Sequence, residues 1–413
     1  MLKRHIESKL HEALDFMPII LLRGARQTGK TTLAKIISAG DKKYTYLSLD
    51  HLPSLMAAKD DPIGFISRLE KPVILDEIQR APELFLPIKV DVDEHRTPGR
   101  YLLTGSADPL LIPKLGDSLA GRMRLLTLWP LSQGEIVGTP ETFLQRVFDR
   151  TPLSTGWSLA CSKDDILNRA IKGGYPTPLY LETEKQRMAW FNDYVALVLQ
   201  KDILDLSKIE NVTQIPNLLM MLASRSCGLL NTEELARTIK LSSVTLHRYI
   251  DLLKTLFLVH LAPAWSGNLS KRLVKSPKVY LTDTALQLFL LNIDTERLRS
   301  DQYLVGSVIE NFVVLELLKQ ISWSDLNIQM FHYRDYSHAE IDIILEGPGG
   351  DVVAIEIKSS ETVSSNDLKG LKMLRDSLDE KFVHGILLYS GTTSVPFGDK
   401  LTALPISSLW SNI

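Results

Sequence analysis

The stretch Gly24-Ala25-Arg26-Gln27-Thr28-Gly29-Lys30-Thr31 follows a short apolar run at 18–22 and precedes a helical pattern at 32–37. A strand, a glycine-rich loop and a helix in this order form the setting in which the pattern G-x-x-x-x-G-K-[ST] binds phosphate. The glycines let backbone N–H groups turn inward around phosphate oxygens, and the following helix adds its positive end. We therefore predict a site for a nucleoside triphosphate.

Two side chains of this loop have separate predicted roles. Lys30 supplies a positive charge for the β- and γ-phosphates, and Thr31 supplies a hydroxyl for Mg²⁺. The rest of the loop, together with Thr32 at the start of the helix, completes the predicted nucleotide contacts. The alternative, a chance glycine turn, leaves the strand and the helix on either side unexplained.

A second motif ends an apolar run. The segment 73–77 reads Val-Ile-Leu-Asp-Glu, which is typical of a buried parallel strand that presents acids at its C-terminal edge. We predict that Asp76 holds Mg²⁺ and that Glu77 orients and polarises the water that attacks the γ-phosphate. Another strand at 100–103 is followed by small hydroxyl residues, including Ser106. Ser106 either senses the γ-phosphate or its water, or belongs to a simple turn.

Composition and charge set the broad class of the protein. Its 413 residues include 47 Lys and Arg and 49 Asp and Glu, so any surface that attracts nucleic acid is local. Cys161 and Cys227 lack partners at metal-binding spacing and predict neither a disulfide framework nor a zinc site. Residues 1–16 predict an amphipathic helix rather than a secretion signal, and no apolar run is long enough to span a bilayer. We expect a cytoplasmic protein.

The alternation of apolar and helical segments predicts an α/β multidomain chain. We expect residues 1–137 to form a parallel sheet core covered by helices on both faces, and residues 138–210 to form a helical region. A winged-helix-like domain is expected at 211–285 and a C-terminal α/β domain at 286–413.

A helix-turn-helix pattern occupies residues 231–253. It is followed by a group of basic residues: Lys271, Arg272, Lys275 and Lys278. The pattern favours DNA contact through Thr245, Arg248 and a basic wing. A packing or oligomerisation unit is an equally good interpretation.

Arg122 follows a helix predicted at 109–119 and a glycine, Gly121. An arginine at this position can be presented to the nucleotide of a neighbouring subunit. Alternatively, it is a basic side chain that stabilises the end of a helix.

Two apolar strands near the C-terminus each contain one acid. The segments 341–345 and 353–358 flank a glycine turn, and a hairpin centred on Gly349 places Asp342 opposite Glu356. Like charges that face each other in an apolar sheet are costly unless a cation lies between them. Lys358 falls on the face of Glu356, and Glu310 lies on a helix predicted at 302–319. The set favours Mg²⁺ or Mn²⁺ bound by Asp342 and Glu356, and phosphodiester cleavage; the alternative is an edge hairpin with solvated acids.

These motifs resemble a prokaryotic AAA+ ATPase family in which the AAA+ core precedes a C-terminal domain similar to the PD-(D/E)xK nuclease fold. The resemblance covers nearly the whole chain, through residues 24–31, 75–79, 103–106, 119–122, 173–176 and 276–283 and the acidic set above. It implies ATP and Mg²⁺ as cofactors and ATP hydrolysis as the activity. The chain departs from the nuclease pattern at one point, because no Pro-Asp dipeptide precedes the strand acid.

Two functions follow from this sequence. The leading hypothesis is an ATP-driven, homo-oligomeric machine with a DNA-acting C-terminal domain, for which nucleolytic cleavage is one option. The alternative is a regulatory switch, in which the state of the nucleotide changes assembly and the C-terminal domain is a binding module without catalysis. Local basic groups and the complete acidic set favour the first. The near-neutral net charge and the lack of recognisable helicase elements favour the second.

Overall fold

A computed structural model describes residues 2–40, 43–106, 119–202, 212–267, 272, 275–334 and 340–411. The chain begins with helix α1 (Ile6–Phe16), which buries one apolar face and leaves charged residues on the other. The expectation of an amphipathic N-terminal helix is therefore confirmed. The helix predicted at 109–119 lies almost wholly outside the described residues.

The next region is built on a parallel sheet, with described strands in the order β2-β3-β4-β1-β5. Odd and even residues of the buried strands belong to separate apolar clusters on the two faces, as expected for a sheet covered by helices on both sides. The elements are β1 (Ile19–Arg23), α2 (Lys30–Ser38), β2 (Thr45–Ser48), α3 (Leu52–Asp60), α4 (Pro62–Arg68), β3 (Val73–Asp76), α5 (Phe85–Glu94), β4 (Tyr101–Gly105) and β5 (Met123–Thr127).

The middle of the chain is mostly helical. Its helices are α6 (Gln133–Val137), α7 (Phe143–Phe148), α8 (Lys163–Lys172), α9 (Pro176–Leu179), α10 (Glu184–Leu197), α11 (Ile215–Ser224), α12 (Thr232–Ile239) and α13 (Ser243–Thr255). Asn231 and Ser242 cap α12 and α13 through their side chains, and Lys240 ends α12 in a left-handed conformation. The antiparallel strands β6 (Val259–Ala262) and β7 (Lys278–Leu281) follow.

The C-terminal region contains a mixed sheet, with described strands in the order β12-β13-β11-β10-β9-β8. The long helix α16 packs on one face, together with α8, and helix α17 packs on the other. The elements are α14 (Thr284–Leu290), α15 (Thr295–Ser300), α16 (Gln302–Trp323), β8 (Gln329–Arg334), β9 (Glu340–Glu346), β10 (Val352–Lys358), α17 (Lys369–Leu378), β11 (Phe382–Tyr389), β12 (Val395–Pro396) and β13 (Leu401–Pro405).

Among the described residues, the basic side chains at 272, 275 and 278 do not form the predicted wing. Arg272 pairs with Glu346 of β9 at 2.6 Å and lies over the Trp265 ring. Lys275 donates to a carbonyl of β8, and Lys278 is buried. The described part of this segment lies against β8 because its backbone hydrogen-bonds to that strand at His332. These cations therefore contact the C-terminal sheet instead of facing solvent; Lys271 lies outside the described residues.

Candidate functional site

The phosphate-binding loop adopts the conformation that its glycines permit. Gly24 and Gly29 have positive φ angles of 154° and 98°. A Cβ atom on Gly24 would lie 2.2 Å from the Leu128 carbonyl oxygen, so a side chain does not fit there. The Lys30 ammonium donates to the carbonyls of Gly24 and Ala25 at 2.8 and 2.7 Å, so it lies inside the curve of the loop. Thr32 and Gly29 line the same cleft as Arg26, Gln27 and Lys30.

Thr31 and Asp76 lie side by side at the C-terminal edge of the sheet. The Thr31 hydroxyl is 3.0 and 3.2 Å from the two carboxylate oxygens of Asp76. Tyr46 donates a further hydrogen bond to Asp76 at 2.8 Å, and Thr104 donates another. A hydroxyl and a carboxylate are oxygen donors of the kind that Mg²⁺ prefers, so this pair fits the ion that normally accompanies ATP.

Glu77 directly follows Asp76 and has a left-handed backbone conformation, with φ 62° and ψ 45°. This conformation is uncommon for a residue other than glycine, and the Glu77 N–H holds it by donating to the Thr104 hydroxyl at 3.1 Å. The amide of Gln79 donates to the Glu77 carboxylate and to the Ser106 hydroxyl, the latter at 2.9 Å. The structure thus brings Ser106 close to Glu77, as one of the two interpretations requires. Gln79 was not predicted, although its place two residues after Glu77 is visible in the sequence.

Two adjoining cavities extend from the loop. A polar cleft of about 600 Å³ contains Lys30, Thr31 and Glu77 on one side and Pro176, Tyr194 and Leu197 of the helical region on the other. A more apolar cavity of about 390 Å³ shares Gly29 with the cleft and is lined by residues that include Leu2, Leu33, Ile36, Leu131 and Tyr180. A charged cleft beside an apolar cavity suits a ligand with phosphates at one end and a flat base at the other.

Arg122 lies at the other edge of the sheet. Its carbonyl accepts from Ile19 at the start of β1, whereas the phosphate-binding loop follows the end of that strand. The five residues of β1 separate the two places by roughly 16 Å. The Arg122 guanidinium is part-exposed and pairs with Asp93, with one contact of 3.1 Å. It therefore does not contact the nucleotide site of its own chain.

The four residues predicted for the C-terminal site lie on neighbouring elements. They are Glu310 on α16, Asp342 on β9, and Glu356 and Lys358 on β10. Strands β9 and β10 pair Ile343 with Ile355, and the same register, carried one step further, places Asp342 opposite Glu356. The Asp342 carboxylate accepts from the N–H of Ile357 at 2.9 Å, and Lys358 pairs with Glu356 at 2.9 Å. The predicted hairpin register and the shared face of Glu356 and Lys358 are thus found.

A fifth residue, Lys278, lies at the centre of this site. Its ammonium is 2.8 Å from Glu340, 3.1 Å from Glu310 and 3.4 Å from Asp342, and the residue is 2% exposed. We call these four residues the Lys278 cluster. Neither Lys278 nor Glu340 was predicted here, because Lys278 was assigned to the wing. Two features of the sequence could have indicated this site. Lys278 is at the start of an apolar strand, and Glu340 lies two positions before Asp342, on the same face of its strand.

The Lys278 cluster does not fit a divalent metal ion. The three carboxylates already surround an ammonium, and a second cation beside it would meet like-charge repulsion at short range. Of the remaining predicted ligands, Glu356 is paired with Lys358. Within the described ranges, no three His, Cys, Asp or Glu side chains are arranged to hold a metal. The metal site at Asp342 and Glu356 stays a prediction, and the position of Lys278 beside Asp342 is the observation that opposes it.

Burial and neighbouring charges shift the pKa values of the cluster residues in different directions. Burial and the neighbouring Asp342 raise the pKa of Glu310 to about 8, although Lys278 and the Tyr280 hydroxyl oppose the shift. Burial alone would raise the pKa of Glu340, but Lys278 brings it below its usual value. Burial alone would lower the pKa of Lys278, but Glu310, Asp342 and Glu340 raise it above its usual value. The Lys278 ammonium is therefore charged at neutral pH.

This balance predicts how stability depends on pH. The folded pKa of Glu310 lies above its ordinary value, so its contribution is complete below about pH 4.5 and is lost as the pH rises through about 8. Glu310→Gln has nothing to ionise. From pH 5 to 8, the free energy of unfolding should therefore fall more for the wild type, by at most about 1.4 kcal/mol per pH unit. Denaturant titrations at each pH measure this difference, with Glu296→Gln, an exposed site, as the control. Equal slopes for wild type and Glu310→Gln would contradict the assignment.

Comparisons with known proteins divide the chain into three parts. The family model of an AAA domain matches residues 17–137. Models of two domains of unknown function match residues 163–297 (DUF8612) and 305–409 (DUF4143). Uncharacterized proteins of Mycobacterium tuberculosis and Mycobacterium bovis are each 28% identical to the chain over 408 residues, which cover 98% of this chain and 84% of theirs.

Two solved structures align more distantly. AMPPCP-bound DnaA from Aquifex aeolicus has 15% identity and a TM-score of 0.28, over 60% of this chain and 86% of DnaA. A signal transduction ATPase with numerous domains from Pyrococcus horikoshii has 13% identity and a TM-score of 0.27, over 78% of this chain and 47% of that protein. Helices long and apolar enough to cross a bilayer are not found among the described residues. Residues 17–137 match the model of an AAA domain, and this match supports the binding and hydrolysis of ATP by this chain.

Proposed function

We propose that this protein is an ATP-dependent switch, in which binding and hydrolysis of ATP at residues 24–31 change how the middle and C-terminal regions are held. One observation carries the proposal: hydrogen bonds join the segment after β5 directly to the C-terminal helix α16 and, through Arg4, to the phosphate-binding loop. A change in the loop can therefore reach the C-terminal region through buried hydrogen bonds.

Arg4 makes the connection at the loop. Its guanidinium donates to the carbonyl of Thr28 and to the carbonyl of Trp129, each at 2.7 Å, and to the carboxylate of Glu135 at 2.9 Å. The residue is buried, so each of these bonds forms where water does not compete strongly. Arg4 thus joins the loop to the segment that contains Trp129 and Glu135.

Helix α16 makes the connection at the other end of that segment. Its Glu316 accepts from the N–H of Gln133 at 2.8 Å, and its Lys319 donates to the carbonyl of Leu131 at 3.0 Å. Glu316 and Lys319 also pair with each other at 2.6 Å. The same helix carries Glu310, so one rigid element contacts both the AAA domain and the Lys278 cluster.

A glycine pair adds a third link. Gly174 bonds through its carbonyl to the N–H of Leu131 and through its own N–H to Asp283, both at 2.7 Å. Cβ atoms on Gly173 and Gly174 would each lie 2.4 Å from an oxygen, of Asp283 and of Leu131 respectively, so both glycines allow a close approach. Asp283 lies two residues after β7, the strand that begins with Lys278.

A second candidate function is the cleavage of DNA by the C-terminal domain. The observation in its favour is that Asp342, Glu356 and Lys358 lie together on adjacent strands beside Glu310. Lys278 opposes it, because its ammonium lies where these carboxylates converge. Contact with DNA through α13 is a separate part of this proposal. Arg248 is exposed on that helix, whereas the Thr245 hydroxyl is 2.8 Å from that of Ser242 at the helix cap.

The nucleotide site is tested with two variants. Lys30→Ala removes the phosphate countercharge and should weaken ATP binding at least tenfold. Glu77→Gln should bind ATP normally but hydrolyse it about 10²- to 10⁴-fold more slowly, because only the water-orienting group changes. Calorimetry measures the binding and phosphate release measures the turnover, with exposed Lys59→Ala as the control. Normal turnover by Glu77→Gln would remove Glu77 from the mechanism.

We propose further that the protein is a homo-oligomer in which Arg122 reaches the nucleotide of a neighbouring subunit. Arg122→Ala should then reduce turnover by about 10²-fold or more and leave ATP affinity nearly unchanged. Exposed Arg96→Ala is the matched control. Mixing Arg122→Ala with Glu77→Gln should restore part of the activity, since some interfaces then combine one intact copy of each residue. A monomeric protein whose ATPase rate per molecule does not depend on concentration would exclude this role.

The DNA proposal is tested with linear, branched and single-stranded DNA in Mg²⁺ or Mn²⁺, with and without ATP. If α13 contacts phosphates, Arg248→Ala should weaken binding several-fold and reduce its salt dependence, whereas Lys59→Ala should not. If the C-terminal site cleaves, Asp342→Asn should abolish product formation while ATPase activity remains. Absence of both binding and cleavage for every DNA form would leave the switch as the function.

A further inference from the structure

The position of Lys278 is fixed from two sides. Strand β7 pairs Lys278 with Ala262 of β6, and an isolated bridge joins it to Leu229. On the other side, its ammonium contacts carboxylates from α16 and β9. The backbone of Lys278 thus belongs to the middle region, and its charge belongs to a site in the C-terminal region.

The Lys278 ammonium has as many carboxyl partners as it has N–H groups. A lysine has three N–H groups, and three carboxylate oxygens lie within 3.4 Å of Nζ. A lysine that is 2% exposed is costly unless it is paired in this way, and three carboxyls in one apolar site are equally costly without a cation. The buried lysine therefore requires the carboxyl groups, and the carboxyl groups require the lysine.

We propose that Lys278 is the resident cation of the C-terminal acidic site: it takes the place of a divalent metal and joins strand β7 to helix α16 and strand β9. This inference goes beyond the proposed switch and does not depend on ATP hydrolysis. In this proposal, Glu310 and Asp342 form ion pairs that join two regions of the chain, and Glu340 is a third partner in the same ion pairs.

The geometry also explains why a divalent ion is not needed. One ammonium faces three carboxyls, and the Tyr280 hydroxyl donates to Glu310 at 3.2 Å. The second oxygen of Asp342 accepts from the backbone at Ile357. The groups facing Lys278 from α16, β7 and β9 are therefore satisfied by protein donors.

The test measures metal binding and stability on the nucleotide-free full-length chain. Calorimetry with Mg²⁺ and with Mn²⁺ should give the same result for the wild type and for Asp342→Asn, because the site already holds a cation. Metal binding by the wild type that Asp342→Asn abolishes would overturn the proposal.

Lys278→Met keeps the length of the side chain and removes its charge. It should lower Tm by about 10 °C, since it leaves buried carboxyls without their cation. Lys369→Met, an exposed lysine on α17, is the control and should leave Tm nearly unchanged. Millimolar Mg²⁺ should raise the Tm of Lys278→Met but not that of the wild type. A Lys278→Met variant as stable as the control would overturn the proposal.

A charge-balancing variant covers the case in which Lys278→Met does not fold. Lys278→Met combined with Asp342→Asn removes one charge of each sign and should fold with a higher Tm than Lys278→Met alone. If the double variant is less stable than Lys278→Met, the ammonium and Asp342 are not coupled, and the proposal fails.

Discussion

A buried ammonium must be paired, and in this protein the pairing of Lys278 determines how two regions of the chain fit together. The backbone of Lys278 belongs to β7 in the middle region, and its ammonium lies among Glu310, Glu340 and Asp342. Removing either partner would leave a charge in a site that water reaches poorly. The described part of the segment before Lys278 also contacts the C-terminal sheet, with Arg272 paired to Glu346 of β9. Ion pairs therefore join the C-terminal sheet to the middle region.

The region that matches the AAA model is attached to these two regions through a second set of buried charges. Arg4 contacts the phosphate-binding loop and Glu135, and Glu316 and Lys319 contact the segment after β5. Burial raises the pKa of Glu316 to about 7, against the opposing effect of Lys319. Helix α16 takes part in both sets, because it carries Glu310 near its middle and Glu316 and Lys319 further along. This arrangement gives the proposed ATP-dependent switch a short physical path from the nucleotide to the C-terminal site.

Local sequence patterns predicted the elements that depend on neighbours in the chain. The loop at 24–31 and the acids at 76 and 77 were predictable because strand, loop and helix follow each other directly. The opposed positions of Asp342 and Glu356 followed from the two-residue period of paired strands and the glycine turn between them. The helices α12 and α13 were predictable from their capping residues and apolar spacing.

The contacts that the sequence did not reveal join residues far apart in the chain. Lys278 was assigned to a basic wing because a lysine near other basic residues is usually solvated, and its carboxylate partners lie 32 to 64 positions further on. Arg4 had no predicted partner for the same reason, since Glu135 follows it by 131 positions. Charge alone does not show whether a side chain faces solvent or another domain; only the fold decides this.

Crystals grown with Mn²⁺ and a non-hydrolysable ATP analogue test the central claim most directly, if diffraction is recorded at the manganese absorption edge. We predict anomalous density beside Thr31 and Asp76 and none among Glu310, Glu340 and Asp342, where the Lys278 ammonium should be seen. Anomalous density within coordination distance of Asp342, with Lys278 turned away, would contradict the claim and restore the metal site.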